Sequence, residues 1–348
     1  MPASNFTAHD LRHHIDRLPR LRLAHLPTPL EHLPRFSEAL GGPRILIKRD
    51  DCTGLAFGGN KARHNEFVLA DALDQGVDML VWGAGVQSNN CRQTAAACAR
   101  LGLGCHLVLS RDSHDVEVQG NLLLDHLLGA TVEFIDDPMG PQMSARIDQV
   151  ADRFRDQGRK VYCSSDHERV RPRAAVSYCV CMAEMVEQLA AMSVEPAAIY
   201  VSSGGSTGAG LALGRVALGV ECPLRIILPI RWPWDELEGI REIANAVAGR
   251  LELSVQVEPS DLEVSGDYVG PAYGQATPQG MQAISLLART EGLLLDPAYT
   301  GKAMAGLIAD VRQGKFKADD AVVFVHTGGT PALFAYRDEL MAMIGPRR

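Results

Sequence analysis

Residues 79–110 read MLVWGAGVQSNNCRQTAAACARLGLGCHLVLS, and the alternation inside this stretch decides the fold. Met79–Trp82 is a short apolar run of strand type, Asn90–Leu101 carries a helical pattern, and His106–Leu109 is a second apolar run. Gly102, just past the helical pattern, supplies the expected left-handed stop. The same rhythm extends outward. Upstream stand a strand at Ile45–Lys48 and a helix at Lys61–Gln75 stopped by Gly76. Downstream come a helix at Gly120–Leu128 stopped by Gly129, a strand at Val132–Ile135, a helix at Pro141–Gln157 stopped by Gly158, and a strand at Val161–Cys163. Four successive strand–helix units predict parallel strands joined by right-handed crossovers. The second half repeats the pattern, with strands at Ala198–Ser202, Arg225–Ile230 and Ala321–Val325. Its helices fall near Ser206–Leu218, Trp234–Ala248, Gln279–Thr290 and Thr300–Gln313. The fold class is α/β, doubly wound, in two lobes that are each a mostly parallel sheet flanked by helices.

The bulk numbers agree with a globular protein. The chain has 348 residues, 46% hydrophobic and 22% charged, enough for a sizeable buried core. A net charge of −8 argues against a general nucleic-acid binder, which needs a basic face. The early stretch HDLRHHIDRLPRLRL lacks the apolar core of a secretory signal. No apolar run is expected to reach membrane-spanning length, the best being Gly208 to Val220, broken by Arg215. The eight cysteines show no metal-ligand spacing, so buried reduced thiols and a cytoplasmic location are the expectation.

Ligands of open α/β sheets bind beyond the carboxyl ends of strands, so the loops there carry the chemistry. Phe57-Gly58-Gly59-Asn60-Lys61 leads into a helix. Paired glycines admit a close ligand, and a lysine at a helix start gains nothing from the dipole. Such a lysine can form a Schiff base if desolvation or neighbouring cations, here Arg63 and His64, free its amine; taken alone it is more simply a solvated loop lysine. Gly83-Ala84-Gly85-Val86-Gln87-Ser88-Asn89-Asn90 begins like a dinucleotide fingerprint. Ser88 stands in place of the third glycine, however, and no acidic residue ends the next strand, which disfavours a nicotinamide oxidoreductase. Ser88 and Asn89 read equally as helix caps or as ligand contacts.

Ser202-Ser203-Gly204-Gly205-Ser206-Thr207-Gly208 also joins a strand to a helix and lacks the lysine of a nucleotide-triphosphate loop. A run of backbone N–H groups with hydroxyls favours a site for one phosphate over a flexible turn. Asp296-Pro297-Ala298-Tyr299-Thr300-Gly301-Lys302 and His326-Thr327-Gly328-Gly329-Thr330 each precede a helix, with Thr300 and Thr330 as candidate caps. One phosphate cradle, one loop lysine and no nucleotide fingerprint point to a monophosphate cofactor that uses an amine. Pyridoxal 5'-phosphate fits that description better than other common cofactors.

The stretches LPTPLEHLPR, IKRDDCTGLAFGGNKAR, GVQSNNCRQTAAACARLGL, GNLLLDHLLGA, EGLLLDPAYTGKAMAGL and VHTGGTPALFAY lie in one order from about Pro27 to Tyr336. On these residues the chain resembles the D-cysteine desulfhydrase and 1-aminocyclopropane-1-carboxylate deaminase group, which includes L-cysteate sulfo-lyase, of the tryptophan-synthase-β-like (fold type II) pyridoxal-phosphate enzymes. The resemblance implies that Lys61 forms the Schiff base and shuttles the substrate α-proton, and that Ser88 lies against the substrate. It implies that Asn89 hydrogen-bonds the cofactor 3′-oxygen and that Gly204, Gly205, Ser206, Thr207 and Gly208 hold the phosphate. Tyr273 and Tyr299 would stand beside the reacting carbon and leaving group, with Thr300 facing the pyridine nitrogen and Thr327 also at the cofactor. A neutral hydroxyl at Thr300 would leave that nitrogen less protonated than a carboxylate, which suits β-elimination. It further implies a homodimer, no metal, and lobes at residues 64–165 (smaller) and 1–63 plus 166–348 (larger).

The implied reaction is elimination from a small amino acid to pyruvate and ammonia, releasing sulfide from D-cysteine or sulfite from cysteate. Thr300 and Thr327 replace the glutamate and leucine of the cyclopropane-deaminase pattern, so ring opening stands second. A pyridoxal-phosphate binder without turnover is the alternative from another class. Three features depart from the family. His64 replaces a lysine, which would make charge at the phosphate pH-dependent; the cradle reads GGSTG; and Ser164–Arg173 reads SSDHERVRPR in place of a small-residue turn. That last segment is read as a solvated surface loop, or else as one that sends Arg169, Arg171 or Arg173 to a second anionic group on the substrate.

Overall fold

The computed structural model describes residues 6–111 and 117–345. The strands are β1 (Leu30–His32), β2 (Arg44–Lys48), β3 (Met79–Gly85), β4 (Gly104–Ser110), β5 (Thr131–Ile135), β6 (Val161–Cys163), β7 (Ala198–Ser202), β8 (Leu224–Ile227), β9 (Glu263–Ser265) and β10 (Ala321–Val325). The helices begin with α1 (Ala8–Ile15), α2 (Pro34–Leu40), α3 (Asn60–Asp74), α4 (Asn89–Leu101), α5 (Gly120–Leu127) and α6 (Pro141–Asp156). They continue with α7 (His167–Ala191), α8 (Ser206–Ala217), α9 (Glu236–Arg250), α10 (Pro278–Glu291), α11 (Thr300–Arg312) and α12 (Arg337–Ile344).

The strands form two sheets, ordered β1-β2-β10-β7-β8-β9 and β5-β4-β3-β6. Every pairing is parallel except β1 with β2. Each sheet is covered on both faces, as all-parallel strands require. In β10, Val323 and Val325 pack with α7 and α8, whereas Val322 and Phe324 turn to the side of α2, α10 and α11. In the smaller sheet, Leu80 and Trp82 face one core and Val81 the other. Each fully buried large apolar side chain contributes roughly 1.5–3 kcal/mol.

Two sequence expectations give way here. The segment 167–173 is the first part of the 25-residue helix α7, not a surface loop. Pro172 looks like a breaker, but Asp166 caps the helix by accepting from the Arg169 amide, and burial of Ala174–Met185 holds the rest. Helix α7 is also long and apolar enough to cross a membrane by length and composition, contrary to expectation; 72% of its apolar window is buried inside the protein, as in a core helix. The other boundary shifts are local. Strand β8 stops short of the expected Ile230 because Pro229 follows and cannot donate to a ladder, and α9 starts at Glu236 because Asp235 caps it.

The register aligns the ends of three strands. Val325 of β10 is level with Lys48 of β2 and Val201 of β7. The loops after these strands, 49–59, 203–205 and 326–329, therefore leave the sheet together.

Candidate active site

Residues 56–59 hold positive φ in succession: Ala56 43°, Phe57 67°, Gly58 65° and Gly59 119°. Side chains at the two glycines are excluded, because a Cβ on Gly58 would overlap the Asp51 carbonyl and one on Gly59 would lie 2.6 Å from Gln93 Nε2. Ala56 and Phe57 tolerate the conformation only because surrounding groups impose it. Arg92 donates to the carbonyls of Ala56 and, at 3.2 Å, Gly58, while the Gly59 amide donates to Thr53 Oγ1 at 2.8 Å. The Asn60 amide donates to the Thr327 carbonyl at 3.0 Å. This clamp starts α3 and sets Lys61 in a cavity of about 960 Å³ that Ser206, Asn90 and Arg171 also line.

Burial alone lowers the Lys61 pKa to about 8. Arg63 does not contribute as a neighbouring cation. It is turned away from the cavity, with its guanidinium on Asp50 at 2.9 Å and Glu184 at 2.7 Å. Lys302, also lowered to about 8 by burial, is committed to the Val269 carbonyl at 2.6 Å and Pro229 at 3.4 Å. Lys48 is bound to Glu184 at 2.9 Å. Lys61 is the lysine of these three that pairs with no carboxylate and faces a cavity.

Among the described residues its amine hydrogen-bonds His64 alone, whose Nδ1 lies 3.4 Å from Lys61 Nζ and whose Nε2 lies 3.1 Å from Thr207 Oγ1. Burial, then the charge of Lys61, holds the imidazole pKa well below its ordinary value. The ring therefore stays neutral, and the pH-dependent charge expected at this position is not present in the protein itself. With Lys61 donating to Nδ1, the ring hydrogen sits on Nε2 and donates to Thr207. Asn60 Nδ2 donates to the same hydroxyl at 3.0 Å, which leaves the Thr207 hydrogen for a ligand.

In the cradle, Ser203 Oγ accepts from the amides of Gly205 at 3.2 Å and Gly208 at 2.9 Å. The amides of Gly204, Ser206 and Thr207 donate to nothing among the described residues, and the buried Ser202 hydroxyl has no partner. That donor set, at the start of α8, matches one phosphate group.

Ser88 caps α4, accepting from the amides of Asn90 at 3.1 Å and Cys91 at 3.2 Å. The Asn89 oxygen accepts from Asn121 Nδ2 at 3.0 Å and Arg92 at 3.5 Å, so its amide hydrogens are left to meet a ligand oxygen. Tyr273 and Tyr299 share a short hydroxyl–hydroxyl hydrogen bond. Burial pushes Tyr273 up to about 12 and Tyr299 well above the ordinary phenol value, so both stay protonated. Thr300 Oγ1 donates to Asp296 Oδ1 at 2.6 Å and accepts from the Asp296 amide at 2.8 Å, leaving one lone pair for a ligand. The same carboxylate accepts from the amides of Ala298, Tyr299 and Thr300 at 2.9–3.0 Å.

The structure thus joins Lys61, His64 and Thr207 by direct contacts, and Asn60 links Thr207 to the Thr327 backbone. The tyrosine pair, Ser88, Asn89 and Thr300 are not part of that cavity wall. Sequence reasoning did not reach Arg92, Asn121 and Asp296, which orient site groups from behind, or Trp232 and Trp234, which stack at 4.7 Å on the cavity wall. Arg92 and Asn121 act on the Ala56, Gly58 and Asn89 groups from 32 to 36 positions away, which no local pattern marks. Asp296 lies inside the 296–302 cluster and acts on residues two to four positions on, and the two tryptophans are two positions apart, but residue type alone gave these three no role. Of the three arginines, Arg173 pairs with Asp71 at 2.8 Å and Arg169 with Asp71 at 3.4 Å and Asp166 at 3.9 Å. Arg171 lines the cavity.

An aldehyde cofactor with one phosphate fits these groups: an unpaired amine of lowered pKa, open amide donors and an orphaned buried hydroxyl. Comparison with known proteins agrees. Residues 21–328 match the model of the pyridoxal-phosphate dependent enzyme family. The chain is 42% identical over 331 residues to the D-cysteine desulfhydrase of Klebsiella pneumoniae (strain 342), covering 94% of this chain and 98% of that protein. It is also similar to a crystal structure described as an ACC deaminase homologue, with a TM-score of 0.86 and 31% identity over 96% of this chain and 98% of the other.

Proposed function

This chain belongs to the family of pyridoxal-phosphate dependent enzymes, and from that premise we propose that it eliminates the β-substituent of a small amino acid, giving pyruvate and ammonia. The leaving group is sulfide from D-cysteine, the substrate named for its Klebsiella relative, or sulfite from cysteate. The single observation that carries the reading is Lys61, a buried amine with a pKa near 8, unpaired with any carboxylate and sharing a cavity with Ser206 at the open start of α8.

When bound, pyridoxal phosphate supplies the carbonyl that takes up the amine and the ring that draws electrons from the α-carbon. The loop Gly204, Gly205, Ser206, Thr207 and Gly208 would hold its phosphate, with the open amides of Gly204, Ser206 and Thr207 as donors and those of Gly205 and Gly208 kept by Ser203 to shape the turn. Asn89 would donate to its 3′-oxygen, and Thr300 and Thr327 would border its ring. Lys61 Nζ takes the α-proton. Ser88 lies at the substrate carboxylate. Tyr273 and Tyr299 keep their protons, so the pair can hand one to the departing group, and the pair's short bond lets Tyr299 replenish Tyr273 or the reverse. His64 keeps Lys61 aligned with the cradle.

We place the smaller lobe at residues 64–165 and the larger at 1–63 plus 166–348, in a cytoplasmic homodimer. Exposed Leu123 and Leu127 on α5 with nearby exposed Phe334 offer apolar surface for a second copy. Light scattering of the purified protein tests that state.

The decisive assay measures 2-oxo acid from D- and L-cysteine, D- and L-cysteate and 1-aminocyclopropane-1-carboxylate. Wild type should give pyruvate from a cysteine or a cysteate, and Lys61→Ala should lose at least about a hundredfold in turnover. Full turnover by Lys61→Ala would sink the assignment. Formation of 2-oxobutanoate would promote ring opening, the reading that the likeness to the ACC deaminase homologue supports. A cofactor-loaded protein that yields no 2-oxo acid would be a binder without turnover.

A further inference from the structure

Arg169, Arg171 and Arg173 stand on the first two turns of α7, and helical geometry sends them different ways. Residues two apart on a helix lie about 200° apart around its axis. Arg173 and Arg169 reach Asp71 on α3. Arg171, between them, reaches the cavity that holds Lys61. No carboxylate among the described residues forms an ion pair with it. Its pKa is lowered by burial with no neighbouring charge to offset that.

The cavity does contain carboxylates. Glu238 is held by Arg241 at 2.6 and 2.7 Å, and Asp235 caps α9. Glu168 and Glu242 complete that set on the lining. His167, one turn before Arg171, is pushed down to about 4, chiefly by burial and then by Arg171, so it is neutral near pH 7. Arg171 and Lys61 are therefore the cations that face this space. A half-buried guanidinium without a partner has lost hydration and gained nothing in return, unless an anion enters from solution.

We propose that Arg171 binds an oxyanion at the far end of the substrate side chain, so that the preferred substrates are amino acids whose β-substituent is or carries a sulfonate or carboxylate. This deepens the elimination reading and rests on it. For cysteate, the Cβ–S bond breaks with its electron pair leaving on sulfur, and Lys61 takes the α-proton. One water is consumed, and pyruvate, ammonium and hydrogen sulfite result. Negative charge builds on the sulfonate oxygens as they depart, and a forked guanidinium stabilises charge that develops in this way.

Two measurements on the holoenzyme test the assignment. The first compares kcat/KM for cysteate, 3-hydroxyaspartate and cysteine in wild type, Arg171→Gln and Arg171→Lys. Loss of a charge-assisted contact should cut the oxyanion substrates by about tenfold to a hundredfold in Arg171→Gln, with cysteine changed less than about threefold and partial recovery in Arg171→Lys. The two oxyanion arms distinguish a sulfonate site from a carboxylate site. The second titrates ethanesulfonate, which has no amine to react, against intrinsic fluorescence, since all three tryptophans, Trp82, Trp232 and Trp234, line this cavity. Wild type should bind saturably and Arg171→Gln at least about tenfold more weakly. Arg169→Gln, on the paired face, should match wild type. Equal proportional losses for cysteate and cysteine, or unchanged ethanesulfonate binding in Arg171→Gln, would overturn the assignment. Arg171-dependent ethanesulfonate binding without 2-oxo acid from any amino acid would keep the subsite and reject elimination.

Discussion

Lys61 and Arg63 are two residues apart on one helix, one part-buried at a cavity and one fully buried, and they belong to opposite kinds of environment. Arg63 is surrounded. Its guanidinium meets Asp50 and Glu184, Lys48 completes the charge balance, and Thr28 and Tyr178 satisfy the remaining atoms at 2.6–3.0 Å. Burial pushes Asp50 and Glu184 upward, but Arg63 and Lys48 outweigh it and keep both carboxyls ionised. Among the described residues, Lys61 has only a neutral imidazole. The same contrast recurs on α7, where Arg173 is paired and Arg171 is not. A buried charge with partners fixes the structure. One without them is available to a ligand.

The sharpest way to break this contrast is to exchange the two losses. Arg63→Ala strands Asp50 and Glu184 in a buried site and should cost on the order of 3–5 kcal/mol in unfolding free energy, read by denaturant titration. Lys61→Ala removes an uncompensated charge and should leave stability equal or slightly higher in the apoprotein, whatever it does to turnover. A large loss of stability in Lys61→Ala would mean that Lys61 is structural after all.

The next effect is on pH. The folded pKa of Lys61, about 8, lies below its unfolded value. The neutral amine that reacts with the cofactor carbonyl is therefore nearly complete above pH 9 and falls about tenfold per unit well below pH 8. The rate at which apoprotein takes up pyridoxal phosphate, followed by its visible absorbance, should rise with pH through about 8 and level off. The sign for stability is the same: the unfolded chain binds more protons between about pH 8 and 10.5, so this group's destabilisation fades across that window. A flat uptake rate from pH 6.5 to 9.5 would contradict the depressed pKa. The smallest effect should come from Arg169→Gln, whose side chain is 41% exposed and shares Asp71 with Arg173; stability should change by less than about 0.5 kcal/mol.

Much of this was readable beforehand. Periodicity located β2 through β7 and the helices α3 to α6, because each strand is a short apolar run and each helix ends at glycine or close to it. Helix α7 escaped, since its first turns are charged and contain Pro172, and its stability comes from packing of residues 174–185 that no local signal reports. Tertiary context overrode propensity there. Strands β1 and β9 carry no apolar run: Leu30-Glu31-His32 and Glu263-Val264-Ser265 each hold a single apolar residue, whereas the equally short edge strand β6 is Val161-Tyr162-Cys163. At the site, glycine spacing and the family resemblance singled out Lys61 and the cradle. The donors left open in that cradle depend on Ser203 taking up two amides, a choice of rotamer and not of sequence.

By itself the sequence determined the α/β class, the order of the site loops, and a family whose chemistry runs through a lysine, because these follow from local pattern and from residue types in a fixed order. Only the tertiary structure decided which buried cations have partners. Asp50 and Glu184 are 134 positions apart, Asp71 and Arg173 are far apart as well, and a charge is neutralised by what lies within a few ångströms, not by what lies next along the chain.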